Sequence, residues 1–250
     1  MFRSMIGLVR TAAAMLVLSM LAVPSLAQDP TPAPTPRWPD GHPNLGSAPG
    51  AKGYFETRPG GGGALGYPRP AAVPLQPWAR ALMAYRDSLV EFYPPAVRCK
   101  PTGGPGFFGA AGFEIVDVPE LQQIFLLNIT GPHSWRVVYM DGRPHPGKLR
   151  PTYFGHSIGR WEGDTLVIDT VGFNEKLWMR GSFPTTKQLH LVERITRPNL
   201  LTIRYEATID DPGAYTESYS GGFEITPATS SAWIKDGEPF EYICQDTGGD

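Results

Sequence analysis

Alternation of apolar and polar residues dominates the C-terminal half of the chain. Runs rich in β-branched and aromatic residues recur there, with turn sequences such as DGRP, EGD, RPN and DDPG between them, which is typical of antiparallel strands joined by short loops. The pattern predicts strands at 113–118, 121–129, 134–140, 153–161, 164–171, 188–196, 200–209, 214–225 and 239–245. Hairpins in this number remove their exposed edges by closing, so we predict a mainly β fold with an antiparallel lipocalin-like or calycin-like barrel of about 8–9 strands. A two-sheet sandwich is the alternative.

One amphipathic helix is predicted ahead of the barrel, over residues 77–92. Its apolar stripe contains Trp78, Ala81, Leu82, Tyr85, Leu89 and Phe92. Pro94-Pro95 ends the helix. Because the chain offers one such helix, we expect its stripe to pack on the sheet or to close one end of it. Residues 73–250 then form a barrel domain with an N-terminal helix.

The N-terminus has the pattern of a secretory signal peptide, residues 1–27. Arg3 and Arg10 accompany an apolar run of about 13 residues, and Ser25-Leu26-Ala27 offers a cleavage site. The run is shorter than the roughly 20 residues of a spanning helix, and no later stretch is apolar enough to span. We therefore expect a periplasmic or secreted protein.

Proline and glycine are abundant, with 27 and 29 residues, and many of them lie in residues 28–72. Little apolar periodicity links them, so this segment is predicted to be a flexible tether or a wrap over the surface. Lys plus Arg total 22 against 24 Asp plus Glu. This balance gives no electrostatic footprint for nucleic acid.

The chain has two cysteines, Cys99 and Cys244. In an oxidising compartment an isolated pair favours a structural disulfide, and two thiols without CxxC spacing do not make a metal site. The bond would connect the start of the folded domain to its last strand.

Strand alternation in residues 188–209 predicts a register. If Pro198-Asn199 is a two-residue loop, Glu193 faces Arg204 on the outside and His190 points inward beside Ala207. His190 and Glu193 are three apart on a strand and therefore lie on opposite faces. This excludes a metal site in the HLVE stretch.

The hairpin 153–173 has one apolar face and one mixed face. The mixed face contains His156, Ile158, Arg160, Thr165, Val167 and Asp169. A loop at Glu162-Gly163 places His156 directly across from Asp169, where the carboxylate would fix the imidazole tautomer. A three-residue loop with a left-handed Gly163 pairs Arg160 with Asp164 instead. The mixed face is either solvated or turned into a cavity.

Several blocks of the sequence resemble a large family of exported bacterial proteins of unassigned function. The blocks are DGRPHP, PTYFGHSIGRWEGDTLVIDTVGFN, LHLVER, TIDDPGAYTESY, RCKPTGGP and EYICQD, and together they cover most of residues 75–250. The resemblance implies an exported, β-rich domain. The chain departs from the family pattern at DGHPNLGS, which lacks the tryptophan that commonly follows this block.

Two classes of function fit these features. The first is a small-molecule-binding barrel that holds a largely apolar ligand in its interior. The alternative is a cofactor-independent enzyme, an isomerase, lyase, dehydratase or cyclase, that uses His and Asp as acid and base. An envelope interaction protein is a third interpretation. The chain has no nucleotide motif, GxSxG elbow or metal cluster, and its Gly-rich GGPGFFGAAG is not a phosphate loop, so no cofactor or metal is predicted.

The candidate residues follow from these arguments. The catalytic candidates are His156, Asp169 and His190. The ligand-binding candidates are Arg143, His145, Tyr153, Arg160, Asn174, Trp178 and Tyr205. If either of the first two interpretations is right, the side chains of His156, Asp169 and His190 converge on one cavity.

Overall fold

A closed β-barrel of nine strands forms the centre of the part of the chain that the computed structural model describes. The described residues are 32–47, 54–57, 73–89, 95–101, 103–108, 112–128, 134–179, 182–228, 234–236, 238–239 and 244. The predicted signal peptide lies outside them. The mainly β class and the barrel predicted from the sequence are confirmed.

The strands of the protein are numbered in chain order. They are β1 (Tyr54–Thr57), β2 (Phe113–Val118), β3 (Gln123–Asn128), β4 (Trp135–Tyr139), β5 (His156–Glu162), β6 (Thr165–Val171), β7 (Trp178–Met179), β8 (Phe183–Pro184), β9 (His190–Asn199), β10 (Thr202–Asp210), β11 (Tyr219–Ala228), β12 (Ile234–Lys235) and β13 (Glu238–Pro239). Short 3-10 turns lie at Pro95–Arg98, Gly104–Phe107 and Pro119–Leu121. The barrel order is β1-β11-β10-β9-β6-β5-β4-β3-β2, and β7 pairs with β8 and β12 with β13 in separate ribbons.

The barrel is mixed, which corrects the prediction of a purely antiparallel sheet. Strands β4 and β5 run parallel, with Val138 beside Ser157 and Tyr139 beside Ile158. The cause is the long connection 140–155, which returns the chain to the start of the next strand, whereas a tight turn would have reversed it.

The strand that closes the barrel comes from the predicted tether. Strand β1 pairs antiparallel with β11, and Phe55 pairs with Phe113 of β2. Each predicted strand from 113–118 to 214–225 lies in the barrel, whereas the Glu238–Pro239 strand at the start of the predicted 239–245 pairs outside it. Since β1 precedes the helix in the chain, the barrel also begins earlier than predicted.

The described segment 32–47 also packs on the barrel, in the manner of the second predicted alternative, a wrap over the surface. Leu45 is buried in the core. The guanidinium of Arg197 donates to the carbonyl oxygens of Asn44 at 2.7 Å and Gly46 at 2.6 Å. Because these contacts involve main-chain oxygens, they cannot be predicted from the pattern of polar and apolar side chains.

The single α-helix of the described residues, α1, spans Pro77–Asp87. It is shorter than predicted, and the exposed fractions of Trp78 and Tyr85 are 47% and 63%, so the predicted stripe is wrong. The buried side chain is Ala79, and Arg86 stacks over Trp178 at 4.3 Å. The helix rests against the β7–β8 ribbon at the margin of the fold, which leaves most of its apolar stripe uncovered.

A buried ion pair occupies the barrel interior. The guanidinium of Arg136 donates to both carboxylate oxygens of Glu193, to Ser157 Oγ at 2.9 Å and to Thr170 Oγ1 at 2.9 Å. The Tyr205 hydroxyl donates to Glu193 Oε1 at 2.9 Å. Buried aromatic and aliphatic side chains surround this network. The polar groups satisfy one another, as buried polar groups must if they are not to destabilise the fold.

The two cysteines are joined in a disulfide, as predicted. Their Cα atoms are 5.6 Å apart, and the bond closes a separation of 145 residues. Among the described residues, no helix is both long enough and apolar enough to cross a bilayer.

Candidate functional site

Three imidazoles and one carboxylate meet on the outer face of the barrel. Asp169 Oδ1 lies 3.1 Å from His145 Nε2 and 2.9 Å from His190 Nε2. His145 Nδ1 lies 2.9 Å from His156 Nδ1. We call these four residues the histidine cluster. It unites the three catalytic candidates with one of the predicted ligand-binding residues.

The cluster faces outward because of strand alternation. Ser157, Thr170 and Leu191 are buried in the interior, so the adjacent His156, Asp169 and His190 point to the opposite face. About 28% of the Asp169 side chain and 40% of the His190 side chain remain exposed. The cluster is thus half-buried and open to solutes from outside the barrel.

The β5–β6 register differs from both predicted alternatives. Glu162 pairs with Thr165, so the loop is Gly163-Asp164, with Gly163 at φ 59°. Asp169 therefore pairs with Ile158, and His156 pairs with Val171, two residues farther along β6. Compared with the predicted two-residue loop at Glu162-Gly163, the pairing of the two strands is displaced by two residues. An even displacement keeps each side chain on its face, so the predicted division into two faces is confirmed.

The β9–β10 register corrects the predicted one. Ala207 pairs with Glu193, and Asp210 pairs with His190. Strand β9 continues through Pro198 to Asn199, and the register shifts between Thr202 and Arg204. This odd displacement reverses the faces, so Glu193 points inward and His190 outward. The two remain on opposite faces, as predicted.

The connection 140–155 brings His145 over strand β6. Gly142 adopts φ 74°, and Asp141 Oδ1 accepts the Arg143 main-chain N–H at 3.2 Å, which forms a tight turn. Prolines at 144 and 146 restrict the backbone on both sides of His145. Leu149 then packs so closely on Gly172 that a Cβ there would lie 2.9 Å from Leu149 Cδ1.

A second turn sets the position of His156. Gly155 adopts φ 67°, and a Cβ at this residue would lie 2.5 Å from the Val171 carbonyl oxygen. The Thr152 hydroxyl accepts the Gly155 N–H at 2.9 Å. Glycine is therefore required at 155 both by conformation and by space.

The hydrogen-bond network assigns the ring protons of the cluster. An ionised carboxylate only accepts, so His145 and His190 each donate an Nε2–H to Asp169. With one proton on its ring, His145 then offers a lone pair at Nδ1. His156 must donate its Nδ1–H to this atom, since two lone pairs would repel at 2.9 Å. The Nε2 lone pair of His156 is left free to accept a proton.

His156 is kept neutral by its surroundings. Burial lowers its pKa below the ordinary 6.5, and the positive charge of Arg143 acts in the same direction. Its ring stacks on Tyr139 with centroids 5.2 Å apart. The Arg143 guanidinium lies 4.2 Å over the same Tyr139 ring and pairs with Asp141. A neutral imidazole beside a positive charge is suited to remove a proton from a substrate that becomes anionic.

The other predicted ligand-binding residues make their contacts elsewhere. Asn174 Oδ1 accepts the Lys176 N–H, and Trp178 lies under the helix residue Arg86. Tyr205 is fully buried in the barrel centre.

Two further candidates lie outside the cluster's hydrogen-bond network. Arg160 pairs with Glu162, and the Tyr153 carbonyl lies against Gly103. Of the seven ligand-binding candidates, His145 joins the cluster and Arg143 lies beside it.

Sequence reasoning missed two parts of this site. It did not place His145 between His156 and Asp169, although the prolines on both sides of His145 indicated that its backbone is restrained. It also missed Tyr139, the aromatic floor under His156, because an aromatic residue at the end of a strand does not stand out from the pattern.

No group of His, Cys, Asp or Glu side chains in the described part of the chain is arranged to hold a metal ion. Comparison with known proteins found no family model, no curated protein and no solved structure that matches the chain. The function must therefore be argued from the site itself.

Proposed function

We propose that the protein is an enzyme that transfers protons on a small organic substrate, with His156 Nε2 as the general base. The observation that supports this is the hydrogen-bonded order His156, His145, Asp169. A base oriented by a second group, which a carboxylate orients in turn, is the arrangement that activates bases in many enzymes. The half-buried position gives a substrate access.

Each member of the cluster has a role in this proposal. Asp169 holds the tautomer of His145, and His145 holds that of His156 and shares the proton that His156 gains. His190 donates its Nε2–H to the same carboxylate oxygen. Its imidazolium form returns a proton to the substrate from Nδ1 and is reprotonated by water. An acid and a base on one carboxylate suit isomerisation, elimination, hydration or cyclisation. The charge of Arg143 favours an anionic intermediate.

The proposal includes export. The signal-peptide pattern, the disulfide between Cys99 and Cys244 and the resemblance to exported bacterial proteins support a periplasmic or secreted location. The ligand site predicted inside the barrel stays a prediction. We assign the substrate to the outer face because the four acid–base side chains are there, and the buried Arg136 and Glu193 occupy the interior.

Deuterium exchange tests the proposal without knowledge of the substrate. The protein is incubated in D2O with a small-molecule extract of bacterial periplasm, and mass spectrometry finds molecules that gain deuterium or change mass. We expect such molecules with the wild type. We expect the rate to fall at least about 100-fold with His156→Ala and with Asp169→Asn, the usual contribution of a general base.

The matched control is Glu206→Gln, an exposed carboxylate on the outer face of strand β10, which should leave the rate unchanged. Equal exchange with wild type and His156→Ala would contradict the proposal, as would the absence of any protein-dependent exchange. Nitrogen-15 NMR of the rings provides a second check. It should show the proton of neutral His156 on Nδ1 and those of His145 and His190 on Nε2.

A further inference from the structure

A pocket of about 320 Å³ opens in the barrel wall beside strand β5. It shares no residue with the histidine cluster. The side chains that matter for its chemistry are Asp40, His42, Asp117, Gln123, Arg160 and Trp161. Its volume lies at the lower end of the range for small-molecule sites, so it fits a ligand of one or two rings.

The pocket exists because the barrel wall is incomplete there. Strand β4 pairs with β5 only as far as Tyr139 and Ile158, whereas β5 continues to Glu162. At the end of β4, Met140 lies against Gly159, where an added Cβ would approach its Sδ to 2.5 Å. Glycine at 159 thus lets the Met140 side chain pack directly on strand β5 at the floor of the pocket.

The N-terminal segment supplies a fixed polar wall. His42 Nε2 donates to Asp117 Oδ2 at 2.9 Å, and His42 Nδ1 lies 2.5 Å from Asp40 Oδ1. The ring of His42 lies 5.0 Å from that of Trp161. Side chains held in this way need little further ordering when a ligand binds. The side chains of His42 and Asp117 are only 15% and 14% exposed, and this burial raises the pKa of Asp117.

The lining has the chemistry of a site for neutral polar rings. The carboxylate of Asp40 and the carboxamide of Gln123 are planar groups with adjacent hydrogen-bonding atoms. The guanidinium of Arg160, whose Nε and Nη2 donate to Glu162, adds a third planar group. Such groups match the spacing of neighbouring hydroxyls on a ring. Trp161 adds a flat apolar surface with a polar N–H. Both signs of charge line the pocket, so a strongly charged ligand is not favoured.

We propose that this pocket binds a neutral saccharide of one or two rings. Hydroxyls of the sugar would hydrogen-bond to Asp40, Gln123 and Arg160, and an apolar ring face would lie on Trp161. The proposal is independent of the catalytic one, since no member of the histidine cluster lines the pocket.

A titration followed by NMR tests this. The indole N–H of Trp161 is assigned from Trp161→Phe, and the protein is titrated with glucose, galactose, N-acetylglucosamine, maltose, cellobiose and the N-acetylglucosamine disaccharide. We expect at least one to shift this signal with a Kd of about 1 mM or lower. The charged analogues glucosamine, glucuronic acid and glucose 6-phosphate should bind at least about tenfold more weakly.

Two variants and a control decide whether the binding uses this pocket. Gln123→Ala and Asp117→Asn should each weaken binding at least about tenfold. Glu120→Gln removes an exposed carboxylate close to Asp117 in the chain that does not line the pocket, so binding should persist. Far-UV circular dichroism and thermal melting verify that each variant is folded.

Failure of all six neutral sugars to shift the Trp161 signal would overturn the proposal, as would equal binding by wild type and Gln123→Ala. Stronger binding of a charged analogue would overturn the assignment to a neutral ligand. None of these outcomes bears on the deuterium-exchange test, because His156 and Asp169 remain intact throughout.

Discussion

The buried ion pair makes the sharpest prediction about the stability of the fold. We consider Arg136→Met, which removes the cation and fills a similar volume. Glu193, whose side chain is 0% exposed, then loses both bonds from the guanidinium and retains the Tyr205 hydroxyl as a donor. The carboxylate is left charged in a place that water does not reach.

The expected loss is about 3–5 kcal/mol of unfolding free energy, as for other buried pairs that lose one partner. For a domain of this size, that corresponds to a fall in Tm of roughly 6–20 °C. The double variant Arg136→Met, Glu193→Leu removes both charges. It should cost only about 1–3 kcal/mol, because the remaining defect is the Tyr205 hydroxyl without an acceptor. Ser157 and Thr170 still bond to each other at 3.0 Å.

Urea unfolding monitored by far-UV circular dichroism, with the disulfide intact, measures these differences from the midpoints at constant slope. If Arg136→Met is too unstable to purify, Arg136→Lys keeps the charge, loses the two-pronged geometry and should lie between wild type and Met. The single variant Glu193→Leu completes the comparison. The reasoning is refuted if Arg136→Met costs less than about 1 kcal/mol, or if the double variant loses as much as Arg136→Met and Glu193→Leu together.

Three further predictions concern other parts of the fold. Replacement of both Cys99 and Cys244 by serine should lower the unfolding free energy by up to about 5 kcal/mol, the chain-entropy value for a loop of this length, as measured by urea titration beside the oxidised wild type. The pKa of His156 is lowered in the folded state, so its contribution to stability is present above pH 6.5 and is lost as the pH falls through the folded pKa. His156→Gln should therefore reduce the dependence of Tm on pH over that range. An unchanged plot of Tm against pH would contradict this prediction. Gly155→Ala should reduce the rate of deuterium exchange, because the added Cβ meets the Val171 carbonyl and displaces β5 together with His156. If both the exchange rate and the melting curve are unaltered, the turn at Gly155 does not position His156.

The sequence identified most residues of the site, but it did not predict on which face of the barrel they lie. His156, Asp169 and His190 were singled out from strand faces, and they lie in one cluster, but on the outer face of the barrel and not in the cavity that was predicted. The predicted inward direction of His190 was wrong because the turn after Asn199 and the bulge at the start of β10 lie outside what alternation reveals. One residue of register reverses a strand face, and the turn that sets it depends on backbone hydrogen bonds.

Period-two alternation by itself determined that this chain forms β-strands from Phe113 onward, because an apolar face on every strand has to be buried. It favoured a barrel over a two-sheet sandwich without deciding between them. Only the tertiary structure decided the rest. The closing strand Tyr54–Thr57 comes from a segment rich in glycine and proline, where local pattern carries little information. The contact between His145 and Asp169 spans a connection whose path depends on packing at Gly172, and such long-range contacts leave no periodic trace in the sequence.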